Sequence, residues 1–127
     1  MQRIIGIGGI FFKAKDPELL YQWYEKHLGL KRAPHGAGVA IPWPKAEQKG
    51  LTAFAIFPKD TEYFNPSKSA FMLNFCVANL EELLKNLKAA GVEIDPKRED
   101  YDYGRFAWIM DPEGNKIELW EPVDAAL

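Results

Sequence analysis

The sequence predicts an α+β domain in which two βαβββ modules join into one cupped mixed sheet with the helices on its outer face. Three observations lead there. An apolar strand run followed by a capped, amphipathic helix occurs twice. Each helix is followed by stretches that alternate like strands. The ends of the two halves also match, GLTAFAIFP (50–58) against GNKIELWEP (114–122).

The elements follow in order. Ile4 to Lys13 is a β-rich apolar run. Asp16-Pro17-Glu18 announces a helix: Asp caps, Pro suits the first turn, and Glu favours the positive end. Leu19, Leu20, Trp23, Tyr24 and Leu28 recur at helical spacing, and Gly29 stops the helix. PHGAGVAIPWPKAEQKG (34–50) reads as a hairpin covering the cup, with Trp43 a lid or a dimer contact. In the second half Phe71 to Val77 is a strand and Asn79 caps a helix. Leu80, Leu83, Leu84, Leu87 and Ala90 form its apolar face, and Gly91 ends it. The chain reads as one domain over 1–127, with modules over about 1–58 and 69–122. The connection over about 59–68 carries Tyr63 and Phe64, a pair that marks either a binding or subunit contact or a plug at the end of a layer.

Composition excludes several classes. The 127 residues are 47% hydrophobic and 27% charged with a net charge of −2, a globular balance without the clustered Lys and Arg that nucleic acid requires. No apolar run approaches the roughly 20 residues that span a bilayer. The single Cys76 precludes an internal disulfide framework and fits a reducing, cytoplasmic setting. Gly6-x-Gly8-x-x-Phe11 fails as a dinucleotide loop at its third position. No nucleophile-elbow serine, phosphate loop or cysteine-rich zinc pattern occurs, and Cys76 reads as a small buried residue.

The duplicated pattern, with FFKAKDPELLYQWYEKHLGL (11–30) and GRFAWIMDPEGNKIELWEP (104–122), resembles the vicinal oxygen chelate superfamily. That group includes glyoxalase I, bleomycin-resistance proteins, methylmalonyl-CoA epimerases and extradiol dioxygenases. The resemblance implies a homodimer and a divalent metal held by His, Gln or Glu from the first and last strand of each module. Carried over by position, those four places are Gly9, Phe54, Met72 and Glu118, and only Glu118 can ligate. A catalytic metal site normally needs about three protein ligands. His27 reads as a helix-surface residue and His35 as a loop residue. The expectation is therefore no metal and no other cofactor.

Strand alternation, with the resemblance setting the face, turns Phe11, Lys13, Met72, Asn74, Trp120 and Glu118 into the cup, and Phe54 from the first module. Tyr103 and Arg105 in EDYDYGRFAW stand either at its mouth, suited to a carboxylate or carbonyl, or on a solubilised edge strand. Glu118 is a catalytic acid or base, a metal ligand, or half of an ion pair with Arg105 or Lys13. The function implied is a small-molecule binder, in the manner of drug-sequestering resistance proteins. The alternative is a metal-dependent lyase, isomerase or dioxygenase using Glu118 with non-standard ligands, and whether the chain is an enzyme stays open.

Overall fold

The computed structural model describes residues 4–34, 38–43 and 50–123. In chain order these form β1 (Ile4–Ala14), α1 (Pro17–Leu28), β2 (Gly38–Pro42), β3 (Leu51–Pro58), β4 (Phe71–Val77), α2 (Leu80–Ala89), β5 (Ile94–Tyr101), β6 (Gly104–Met110) and β7 (Lys116–Pro122). The strands make one open mixed sheet in the order β2-β3-β1-β4-β7-β6-β5. The second half is a full βαβββ unit. The first half is βαββ among the described residues.

Both helices begin as their caps dictate. Asp16 accepts from the Leu19 N–H at 3.1 Å, and Asn79 accepts from the Glu82 N–H at 3.1 Å. Gly29 closes α1 at φ 71°, a left-handed conformation that glycine adopts without a Cβ clash. The α2 start has a second tie: the Glu121 carboxylate, from the end of β7, accepts from the Leu80 N–H at 2.8 Å.

The halves meet where β1 runs antiparallel to β4. Gly9 pairs with Asn74 and Phe11 with Met72, so the two strands exchange equivalent partners. Each is flanked on its other side by a parallel strand, β3 for β1 and β7 for β4.

Two apolar clusters follow from the two faces of this sheet. On the helix face Leu80, Leu83 and Leu84 pack on Val77, Ala107 and Leu119. On the concave face Phe64, Met72 and Trp108 pack with Phe11 and Ala55. Burying such side chains contributes about 1.5–3 kcal/mol each. Phe64 thus lies in the core, and the connection between the halves is part of the floor of the cup.

α1 departs from its sequence pattern. Leu19, Trp23 and Leu28 are exposed, Leu20 and Tyr24 are half-buried, and Tyr21 is the buried residue. Ala90 is exposed as well, because the helix has ended before it. Tyr21 ties α1 to the sheet through its hydroxyl, which accepts from the Ile56 N–H at 2.8 Å. Removing that oxygen leaves a buried amide unpaired, which costs about 1–3 kcal/mol. Tyr21→Phe is therefore expected to unfold at lower urea with an unchanged m-value. Stability equal to wild type would show that the amide finds another partner.

Candidate functional site

Glu118 is placed by the turn before it. The Asp111 carboxylate accepts from the N–H groups of Glu113 and Asn115, and from the Asn115 side-chain amide, each at 2.9 Å. These bonds hold Asp111 below its ordinary pKa, the Asn115 side chain contributing most. Gly114 turns the chain at φ 82° and releases it into β7. The motif DPEGNK is thus a register device: it fixes where β7 begins and which residues face the cup.

β7 lies between β4 and β6, and Glu118 pairs directly with Asn74 on one side and Trp108 on the other. Opposed residues share a face, so three side chains converge. Glu118 Oε1 accepts from Asn74 Nδ2 at 2.5 Å, and Oε2 accepts from Trp108 Nε1 at 2.9 Å. The Tyr63 hydroxyl, from the connecting segment, also donates to Oε2. Lys116 holds that segment down by donating to the Tyr63 carbonyl at 2.8 Å.

Glu118 is 3% exposed. Burial pushes its pKa above the ordinary value, and the three hydrogen bonds and Lys116 pull the other way. Tyr63 is pushed up by burial and by the Glu118 charge, so its hydroxyl stays a proton donor. Cys76 is pushed up to about 12 by burial, which leaves an unreactive thiol. Asn74 Oδ1 has no hydrogen-bond partner among the described residues. A Cβ at Gly8 would overlap that oxygen, so glycine there makes room for the Asn74 amide.

Above Glu118 opens a cavity of about 520 Å³. Phe11, Phe57 and Tyr63 line one wall, and Tyr103, Phe106 and Trp120 the other. Phe57 stacks on Tyr63 with centroids 5.6 Å apart, and Phe106 on Trp120 at 6.0 Å.

The residues singled out in the sequence divide. Phe11, Asn74, Tyr103, Glu118 and Trp120 come together around the cavity. Three do not. Phe54 faces the helix side, where its ring meets Phe12 and Tyr24 at 5.5 and 4.9 Å. Met72 is on the concave face but wholly buried beneath it. Arg105 points away and approaches Glu121 at 4.0 Å, so it is not the partner of Glu118. Lys13 lies over the Phe64 ring at 5.4 Å, again apart from Glu118. Trp43 does not line the cavity; it donates to Thr52 Oγ1 at 3.1 Å. His27 is exposed beside Trp23, and His35 lies outside the described residues.

Tyr63 and Trp108 complete the site. A loop aromatic pair signalled the first; the second shares the parity of Phe106, whose ring also lines the cup.

The Phe54 correction is one of register. Asn74 pairs with Glu118, and Phe11 pairs with Ala55. The same 63-residue spacing separates Phe11 from Asn74 and Ala55 from Glu118. Ala55, not Phe54, is therefore the structural counterpart of Glu118, and it too has no donor atom.

A divalent metal does not fit this donor set. The groups around Glu118 are an O–H and two N–H donors aimed at its oxygens, and the counterpart positions are Gly9, Ala55 and Met72. No group of three His, Cys, Asp or Glu side chains suited to a metal occurs among the described residues. Among them, also, no helix is long and apolar enough to cross a membrane.

Comparison with known proteins gives a family and a fold. The model of the Glyoxalase/Bleomycin resistance protein/Dioxygenase superfamily matches residues 6–119. No curated protein sequence matches the chain. Among solved structures, methylmalonyl-CoA epimerase from Mycobacterium tuberculosis is similar, with a TM-score of 0.65 at 16% identity over 96% of this chain and 91% of that one. A Streptomyces coelicolor methylmalonyl-CoA epimerase in complex with 2-nitronate-propionyl-CoA gives a TM-score of 0.69 at 13% identity, covering 95% and 99%. A superfamily member from Vibrio splendidus 12B01 gives 0.57 at 15% identity, covering 95% and 99%. At these identities the likeness is one of fold.

The buried carboxylate carries a pH signature. Folded Glu118 holds its proton above the ordinary value of 4.5 at which the unfolded chain releases it. Stability from this group is full below 4.5 and falls as pH rises toward the folded pKa. Glu118→Gln removes the titration. With the Asn74 amide turned over, the introduced amide can donate to Asn74 and accept from Tyr63 and Trp108. Its stability relative to wild type should rise with pH through this window, by about 1.4 kcal/mol per pH unit. Urea unfolding from pH 4.5 to 8 measures it; a pH-independent difference would mean that folded Glu118 titrates like the unfolded chain.

Proposed function

The chain belongs to the Glyoxalase/Bleomycin resistance protein/Dioxygenase superfamily, and from that premise we propose that it binds a small organic molecule in the cup without the family's usual metal. One observation carries this reading. Both oxygens of the lone carboxylate at the floor are occupied by protein hydrogen-bond donors, beneath an aromatic cavity of about 520 Å³. That volume and lining suit a small ligand with an apolar body. Glu118 is then a preorganised polar anchor, reached by the ligand across the cup floor beside Tyr63 and Asn74.

A second reading rests on the raised pKa of Glu118. A carboxyl that keeps its proton through desolvation can serve as a general acid. In that case Tyr63 and Trp108 orient the group and Tyr103 and Trp120 hold the substrate body. Turnover of a bound molecule that is lost in Glu118→Gln would favour it.

The partner in this reading is a second copy of the chain. Ile7, Ile10 and Phe71 on the adjoining β1 and β4 are each more than 40% exposed, an apolar strip that self-association would cover. The compartment proposed is the cytoplasm, where Cys76 stays reduced.

Two measurements test the proposal. Protein without an affinity tag, dialysed against nickel, zinc, manganese and iron(II) in turn, is expected to retain far less than one metal per chain by plasma mass spectrometry. Near-stoichiometric metal that falls in Glu118→Gln would instead favour a metal-dependent lyase, isomerase or dioxygenase. Light scattering is expected to give twice the 14.5 kDa chain mass; a monomer at micromolar concentration would remove the dimer from the reading.

A further inference from the structure

The ligand class is legible in the polarity of the cup. The charged residues that line it, among those described, are Glu99 and Glu118, both acids. The cations on the surrounding strands each have a partner, and Lys97 and Lys116 lie over the Trp108 ring at 5.6 and 5.5 Å. Arg105 approaches Glu121, and Arg98 pairs with Glu81 at 2.7 Å. Lys116 is bonded to the Tyr63 carbonyl, and Lys13 lies over Phe64. Lys97 pairs with Glu99 at 3.0 Å and so offsets that charge in part. Glu118 forms no ion pair among the described residues; Lys116 acts on it only at longer range.

An unpaired acceptor lies beneath the lining as well. Asn74 is 2% exposed; its Nδ2 is bonded to Glu118, and its Oδ1, against Gly8, is a buried acceptor without a partner among the described residues. The walls add π faces. Tyr101 stacks on Tyr103 with planes 8° apart, and Phe106 stacks on Trp120 with planes 3° apart. The two pairs stand steeply to one another, Tyr103 against Phe106 at 70°. Steeply angled aromatic planes next to carboxylates attract a cation through the ring quadrupole and through charge.

We infer that the ligand is an organic cation, an amine on a flat apolar body, and that a carboxylate ligand is disfavoured. This deepens the binding reading above and rests on it. The apolar body lies between the two aromatic walls, and the ammonium is directed to the acidic side of the cup at Glu99 and Glu118. A carboxylate of the same shape would meet two like charges and no free cation among the described residues.

The test uses three naphthalene probes that share one apolar body: 1-naphthylmethylamine, 1-naphthalenemethanol and 1-naphthoate. Affinities for the full chain are measured by isothermal titration calorimetry at pH 8 and low salt, where the amine is largely charged. The expected order is amine, then alcohol, then carboxylate, with the amine at least tenfold tighter than the alcohol. Added salt should narrow that gap, and Glu118→Gln should reduce the amine-to-alcohol ratio. Equal affinities, or naphthoate tightest, would overturn the cation inference and leave the apolar cup standing. No binding of any probe at millimolar concentration would overturn the cup reading itself and the inference with it. Should the variant fold poorly, the ligand series on the wild-type chain decides alone.

Discussion

A carboxylate almost wholly removed from water must be surrounded by donors or carry a proton. That constraint organises this molecule. The donors to Glu118 come from three separate places: Tyr63 on the connecting segment, Asn74 on β4 and Trp108 on β6. None is near Glu118 along the chain except Trp108, across the turn that joins β6 to β7. The pairing of β4 with β7 brings in Asn74, and the connection folding over the concave face brings in Tyr63. The site therefore exists only when the whole second half and the linker are assembled, and its donors report on that assembly.

The connecting segment does more than join the halves. Phe64 is wholly buried against Met72 and Trp108. That packing holds the neighbouring Tyr63 in place, and Lys116 bonds its carbonyl from below. The same alternation that gives Glu118 to the cup gives Ile117 and Leu119 to the α2 layer. Core and site are the two faces of one strand, so a change of register in β7 would expose the one and bury the other.

Much of this was readable in the chain. The caps at Asp16 and Asn79 and the strand positions follow from local chemistry and period, the resemblance chose which face of β7 lines the cup, and the structure has them. The α1 face did not follow, because the apolar residues Leu19, Trp23 and Leu28 sit on a helix that touches the sheet mainly through Tyr21 and half-buried neighbours. Phe54 was misplaced by alignment on Pro58 and Pro122. Those prolines lie one residue out of structural equivalence, and period-two geometry turns a one-residue error into the opposite face. Arg105 failed differently. Its parity on β6 is that of Ala107, away from the cup, and reading EDYDYGRFAW as a mouth could not supply that parity without the pairing to β7. Tyr63 could be flagged as a loop aromatic, but its target depends on a long-range fold of the linker that no local pattern specifies.

At the positions where the family resemblance implies metal ligands, one acid stands alone. Gly9 and Ala55 are small and offer no donor atom, and Met72 offers only a soft thioether. Their effect is to lower polarity and leave room above the floor. In such surroundings an isolated Glu118 would be costly as an anion. Tyr63, Asn74 and Trp108 offset that cost by supplying three hydrogen bonds where a cation would otherwise sit. Direct ligation of a metal by Glu118 would displace donors that are themselves fixed by packing, whereas an ammonium attracted by charge from within the cup leaves them in place. A chelate built here would need new ligands at three positions and the removal of donors at three others. The arrangement is thus a different solution to burying the same carboxylate, in which protein hydrogen bonds hold the anion and leave the cup above it open.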